Sequence, residues 1–308
     1  MFIEKTSVLY QARYCAQEEF SIAVCLKKSI NRLEYPYSLN SHEDFNQISV
    51  ITKKWYNNKV VACGSDLFVL RKRRRTFAFE KYSESSESKT VLSSLLDNRL
   101  HFCVCSFMQR IYVIGGNIKT EDFSIDSCMC YDIECNKWTY IAPMIESRRN
   151  ASCEVFEGKI VVTGGYDMDK NQLGYKSVEA YCSFENEWTQ LPDMLEKRRY
   201  HGTVSIGNKL FVIGRSTCEV FDSITNKFVF LKSLPDLKDN FFQFVNNIEA
   251  VSIGYKIYVY REFKKNRKNV IGSDMVIYCY NGEQNDLVQE NNLQFDCEVF
   301  SCAKMFKK

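Results

Sequence analysis

The sequence predicts an all-β chain: a six-bladed β-propeller with four antiparallel strands per blade and a ring closed by the C-terminal strand. Three observations predict it. A short apolar strand with Val at its third position recurs as IAVC, LFVL, IYVI, IVVT, LFVI and IYVY. An aromatic residue followed seven positions later by a large apolar residue travels with it. The tail segment CEVFSC repeats the alternating pattern of ASCEVF in mid-chain.

The recurring valines are Val24, Val69, Val113, Val162, Val212 and Val259, spaced by 45, 44, 49, 50 and 47 residues. That period fits blades of four strands, whereas helical solenoid repeats are shorter or carry apolar spacing of 3.6. The companion pairs are Tyr131 with Trp138, Tyr181 with Trp188, Phe221 with Phe228 and Tyr280 with Leu287. Between the members of each pair lies a polar turn such as DIECNK or DSITNK, so each pair reads as a third strand, a hairpin turn and the start of an outer strand. A Pro segment follows at Pro143, Pro192 and Pro235, then Arg-Arg in two repeats, then an alternating strand that leads back into the Val strand. The first repeat lacks its own inner strand before Ile22, and residues 297–303 are expected to supply it, because an open ring would leave a sheet edge exposed. The expected layout is an N-terminal extension over 1–19 and a propeller over 20–308.

The repeats IYVIGG with Tyr131, Trp138, Pro143, Met144 and Arg148, and IVVTGG with Tyr181, Trp188, Pro192, Met194 and Arg198, make the chain resemble the kelch-repeat family, specifically the six-bladed propeller of kelch-like proteins. The resemblance is strong over residues 101–235 and rests on period alone elsewhere. It assigns structural roles to Gly115, Gly116, Gly164 and Gly165 and to Trp138 and Trp188, the tryptophans packing between blades. In the family, BTB and BACK domains that engage a cullin scaffold precede the propeller. Here about 20 residues do, so the resemblance carries over the recognition half and leaves the ligase-docking half unsupported.

The 308 residues include 41 Lys or Arg and 38 Asp or Glu, a formal net charge of +3, with 45% hydrophobic and 14% aromatic residues. This composition buries a large core and excludes a disordered or fibrous chain. Only 13 Gly and 4 Pro are present, so turns must rely on other residues. No apolar run approaches the ~18 residues of a membrane helix, and the opening MFIEKTSVLY lacks the pattern of a signal peptide. The expectation is a cytoplasmic protein without membrane contact, whose 14 cysteines are reduced.

In the propeller that the resemblance implies, loops joining second to third strands share one face with loops entering the next blade. The first set, 27–31, 71–75, 117–123, 166–176, 215–216 and 261–269, holds sixteen basic and five acidic residues, an excess of +11 that leaves −8 for the rest of the chain. Such a face concentrates acidic ligands and speeds their association. Arg148, Arg149, Arg198 and Arg199 in the second set offer guanidinium forks for carboxylate or phosphate. The expected partner-binding residues are therefore Arg73, Arg74, Arg75, Arg149, Arg199 and Arg215, with Asn117, Asn150, Tyr166 and Tyr200 on the same loops. RKRRR at 71–75 also has the composition of a nuclear-import or nucleic-acid patch, but it follows directly on a core strand and no aromatic groove accompanies it.

The sequence carries no motif for a catalytic residue, metal site or cofactor, and none is expected. His42, His101 and His201 lie in different repeats, without the spacing that aims two imidazoles at one ion. Cys103 with Cys105 and Cys128 with Cys130 form C-x-C pairs, closer than structural zinc pairs usually are, and are read as small buried side chains. No G-x-S-x-G elbow or P-loop occurs. The expected function is a non-enzymatic protein-binding propeller that captures an acidic segment of a partner, as the recognition module of a BTB/cullin ubiquitin-ligase assembly. The alternative is an actin-binding kelch protein.

Overall fold

The computed structural model describes residues 20–27, 37–40, 59–64, 66–72, 77–83, 88–118, 123–168, 174–215, 217–231, 245–253, 256–265, 270–281, 286–295 and 298–306. The expected extension over 1–19 lies outside them. Every regular element among them is a strand. In chain order these are β1 (Phe20–Lys27), β2 (Tyr37–Asn40), β3 (Lys59–Cys63), β4 (Asp66–Lys72), β5 (Phe77–Ser83), β6 (Ser88–Leu92), β7 (Arg99–Leu100), β8 (Cys103–Phe107), β9 (Arg110–Ile114), β10 (Asn117–Ile118), β11 (Cys128–Asp132) and β12 (Lys137–Ile141). There follow β13 (Ser152–Phe156), β14 (Lys159–Thr163), β15 (Val178–Cys182), β16 (Glu187–Leu191), β17 (Gly202–Ile206), β18 (Lys209–Ile213), β19 (Cys218–Asp222) and β20 (Lys227–Phe230). The last are β21 (Val245–Ile253), β22 (Lys256–Lys265), β23 (Val270–Asn281), β24 (Asp286–Phe295) and β25 (Glu298–Phe306).

These strands form a β-propeller with five four-stranded antiparallel blades: A (β3–β6), B (β8, β9, β11, β12), C (β13–β16), D (β17–β20) and E (β21–β24). A further three-stranded sheet has the order β2-β1-β25, with Val24 opposite Cys302. The inner strands touch in the cyclic order β3, β8, β13, β17, β21, β25 and back to β3. Hydroxyls stitch neighbouring inner strands together: Ser106 donates to Ala62 O at 2.5 Å, Ser205 to Val155 O at 3.1 Å and Ser252 to Ser205 O at 2.9 Å.

The repeating Val has a physical origin. Second strands are covered on both faces, so they read as continuous apolar runs, and successive side chains go to opposite neighbours. Val113 packs toward blade A, Val162 toward blade B, Val212 toward blade C and Val259 toward blade D. The interleaved Tyr112, Val161 and Phe211 pack the other way. A β-branched residue suits this slot because it is stiff and compact between two sheets.

The seven-residue pairs sit directly opposite one another: Tyr131 faces Trp138, Tyr181 faces Trp188, Phe221 faces Phe228 and Tyr280 faces Leu287. The turn between them places Asn136, Asn186 or Asn226 at positive φ, the conformation that Asn tolerates better than most residues. Asn136 Oδ1 then accepts from the Tyr131 hydroxyl and from Ser93 N, binding the outer hairpin to the linker that enters its blade. Trp138 is buried, 5.2 Å from the Phe79 ring of blade A, and its Nε1 donates to Ser93 O. Trp188 is half-buried and donates to Ala142 O.

Candidate functional site

One face of the propeller is built by the loops after the second strands and by the linkers entering the first strands. Each of three linkers carries an acid two residues before an arginine: Asp97 and Arg99, Glu146 and Arg148, Glu196 and Arg198. These arginines turn inward. Arg99 donates to Gly115 O and Ser127 O and pairs with Asp97 at 2.5 Å. Arg148 donates to Gly164 O at 2.7 Å and Ser177 O at 3.2 Å, and pairs with Glu146 and with the buried Glu179. Arg198 donates to Thr217 O and pairs with the buried Glu219 and with Glu196. Each guanidinium thus clasps an incoming linker to the second and third strands of its own blade.

The glycine pairs serve the same joint. Gly116 N donates to Arg148 O, and Gly165 N to Arg198 O, both at 2.9 Å. Gly115 and Gly164 have φ of +61° and +56°, and a Cβ on either would stand 2.5 Å from the next arginine's carbonyl. Any side chain there would clash as well as strain the backbone.

Arg148 and Arg198 were expected to face a partner. They do not: Arg148 is 1% and Arg198 5% exposed, and the terminal guanidinium nitrogens of both are spent on the clasp. The loop bounds also need correction. Lys27, Arg71, Lys72, Arg261, Lys264 and Lys265 are strand residues of β1, β4 and β22. Arg71 pairs with the buried Glu80 at 2.6 Å. The antiparallel ladders simply run past the point where apolar residues stop, because edge-to-edge backbone pairing needs no apolar side chain. Arg73, Arg74 and Arg75 of the expected +11 face lie outside the described residues.

The arginines one position later take a different path. The main chains of Arg149 and Tyr166 exchange two hydrogen bonds of 3.0 Å. The Arg149 guanidinium lies 4.8 Å from the Tyr166 ring centre, and that of the exposed Arg199 lies 4.9 Å from the same ring and 5.8 Å from Tyr200. The Tyr166 and Tyr200 hydroxyls are 3.4 Å apart. Burial pushes the Tyr166 phenol up, but the Tyr200 hydrogen bond and the two guanidiniums outweigh it and bring it below the usual tyrosine value. Tyr200 is pushed up to about 12 by burial and by Tyr166.

Tyr200 occupies the same linker position as Asn150 and His101, all at positive φ. Asn150 N donates to His101 O, Tyr200 N to Asn150 O and Ile248 N to Tyr200 O, at 2.8, 3.1 and 3.2 Å. This belt fixes the linkers of blades B, C and D in register. It brings together Arg149, Asn150, Tyr166, Arg199 and Tyr200 of the expected residues. Asn117 is buried within β10 and bridges Ser124 instead, and Arg215 is exposed on blade D.

The kelch motif model matches residues 98–145 and 147–195, which are the repeats of blades B and C with their linkers. Blades B and C are kelch repeats. Similar proteins include kelch-like protein 26 of Danio rerio, 35% identical over 41% of this chain and 21% of that protein, and human kelch-like protein 23, 29% identical over 42% and 22%. Kelch-like protein 36 of Mus musculus is 30% identical over 30% of this chain and 15% of its own. The matched segment thus spans about a fifth of the length of these curated relatives.

Among the described residues no cluster of His, Cys, Asp or Glu could hold a metal ion. Cys103, Cys105, Cys128 and Cys130 lie in the core between blades B and C as free thiols. Burial pushes Cys128 up to about 12, so it is not a reactive thiolate. His42 lies outside the described residues. His201 is buried, with Nε2 2.8 Å from the Thr163 hydroxyl, and burial with nearby Arg198 lowers its pKa to about 3.

The ordinary histidine value is about 6.5, so the folded pKa is depressed and the unfolded chain takes up the proton first. Stability from this group is complete above about pH 6.5 and is lost as pH falls toward 3, by roughly 1.4 kcal/mol per unit. Between pH 7 and 5.5 the wild type is expected to lose about 1 kcal/mol more than His201→Gln. Urea unfolding at the two pH values checks this, and parallel losses in both proteins would refute it.

Proposed function

We propose that this chain is a non-catalytic protein-binding propeller that captures an acidic segment of a partner. In this reading the β2-β1-β25 sheet is the sixth blade, the propeller runs over 20–308 and residues 1–19 form an extension. The observation that carries the function is the pair of guanidiniums on one tyrosine ring. Arg149 is held down by its neighbours, while Arg199 is exposed and keeps hydrogen-bond donors for a carboxylate. The backbone belt organises these groups before a ligand arrives, which reduces the ordering cost of binding. In the cytoplasm such a module would serve a ubiquitin-ligase assembly whose other components supply the docking domains.

The test measures anisotropy of fluorescein-labelled hexaglutamate and hexalysine with the intact chain at low and high salt. Hexaglutamate should bind preferentially and weaken as salt rises, since exposed charges are screened over about 8 Å at physiological ionic strength. Arg199→Glu should weaken it by about tenfold or more, and by more than Arg199→Ala, because repulsion replaces attraction. Arg149 is a poor choice for reversal: at 5% exposure, its replacement by Glu would disturb the fold as well. Binding indifferent to salt and to Arg199→Glu would overturn the proposal. Sedimentation with filamentous actin that survived Arg199→Glu would favour the cytoskeletal alternative.

A further inference from the structure

We infer that the segment bound here carries a large apolar side chain within two residues of its acidic group; this rests on the acidic-segment reading above. The loops beside the Arg149, Tyr166 and Arg199 cluster alternate like strands. After Tyr166, Asp167 turns inward, 5% exposed, and accepts from the Ser147 hydroxyl at 2.7 Å, while Met168 turns outward and is 52% exposed. On the neighbouring blade Phe123 is 52% exposed, and the buried Ser124 that follows it donates its hydroxyl to Tyr166 O at 3.1 Å. The face therefore turns one carboxylate away from solvent and presents two large apolar side chains on the segments that carry and touch Tyr166, whose ring meets two cations.

Isolated apolar side chains on a surface are ordinary, but two on the segments that build a preorganised cationic cluster give both halves of a recognition site. Charge complementarity sets the acidic half of the occupant. Placement sets the other half: Phe123 is next to Ser124, which bonds Tyr166 O, and Met168 is two residues from Tyr166, so the apolar side chain belongs close to the acid, and residues two apart in an extended segment project to the same side. The occupant is a short extended segment of a partner protein.

The experiment selects peptides from a randomised decapeptide display library on the intact wild-type chain, on Arg199→Glu and on Phe123→Ser/Met168→Ser. In wild-type selections, acids with Leu, Ile, Met or Phe within two residues should be enriched about tenfold over acids without one. The double variant should keep the acid preference and lose the apolar one, and Arg199→Glu should lose both. Acid enrichment with no apolar preference in wild type overturns this inference and leaves the acidic-segment reading standing. Absence of acid enrichment overturns both. Self-association of the chain that the double variant abolishes also overturns it, by making a second copy the occupant.

Discussion

Arg148→Ala is expected to destabilise the protein by about 3–5 kcal/mol, the usual cost of removing one partner from a buried ion pair. The residue is 1% exposed and Glu179 equally hidden. Its removal leaves the Gly164 and Ser177 carbonyls without these donors, and Glu179 with only the amides of Ile145 and Glu146. The face of Tyr175, 5.4 Å from the guanidinium, loses its cation as well. A double-mutant cycle with Glu179→Ala should give a coupling of at least about 1 kcal/mol, since the residues touch within one network. The measurement is chemical unfolding followed by tryptophan fluorescence. A loss under about 0.5 kcal/mol, the range of surface substitutions, would show that the clasp does not hold the linker.

Deleting residues 297–308 is expected to abolish the monomeric, cooperative melt. Strand β25 pairs with β1 from Phe20 to Lys27 and packs against both β3 and β21. Without it, three strands lose their neighbour at once and the unpaired backbone becomes a template for association with other chains. Even a loss of about 5 kcal/mol would lower Tm by about 10 °C in a chain of this size. Light scattering and calorimetry provide the readouts. A truncated chain that stays monomeric and keeps its midpoint would exclude any role for β25 in closing the ring.

Much of the clasp is legible in the sequence. Asp97-x-Arg99, Glu146-x-Arg148 and Glu196-x-Arg198 recur with the blade period, each arginine 16 residues before Gly115, Gly164 or Gly214. Their position in loops, where charge normally meets solvent, points instead to a binding surface. An acid opposite the repeating Val recurs too: Glu80, Glu179 and Glu219 share that register. Blade B has Met129 there, and Arg99 relies on Asp97 instead.

The sequence by itself determined the strand order within a blade, the facing pairs such as Tyr131 with Trp138 and the strand nature of the repeating Val segments. These follow from local chemistry: alternation, turn residues and a period that only repeated sheets satisfy. The tertiary structure alone decided which of two adjacent buried arginines, 148 or 149, enters the clasp and which lies on the Tyr166 ring. One position along the linker reverses the direction of the side chain, and the carbonyls and carboxylate that capture Arg148 come from residues 16 to 31 positions away. No local pattern weighs that capture against solvation, because it depends on how two chain segments lie against each other in three dimensions.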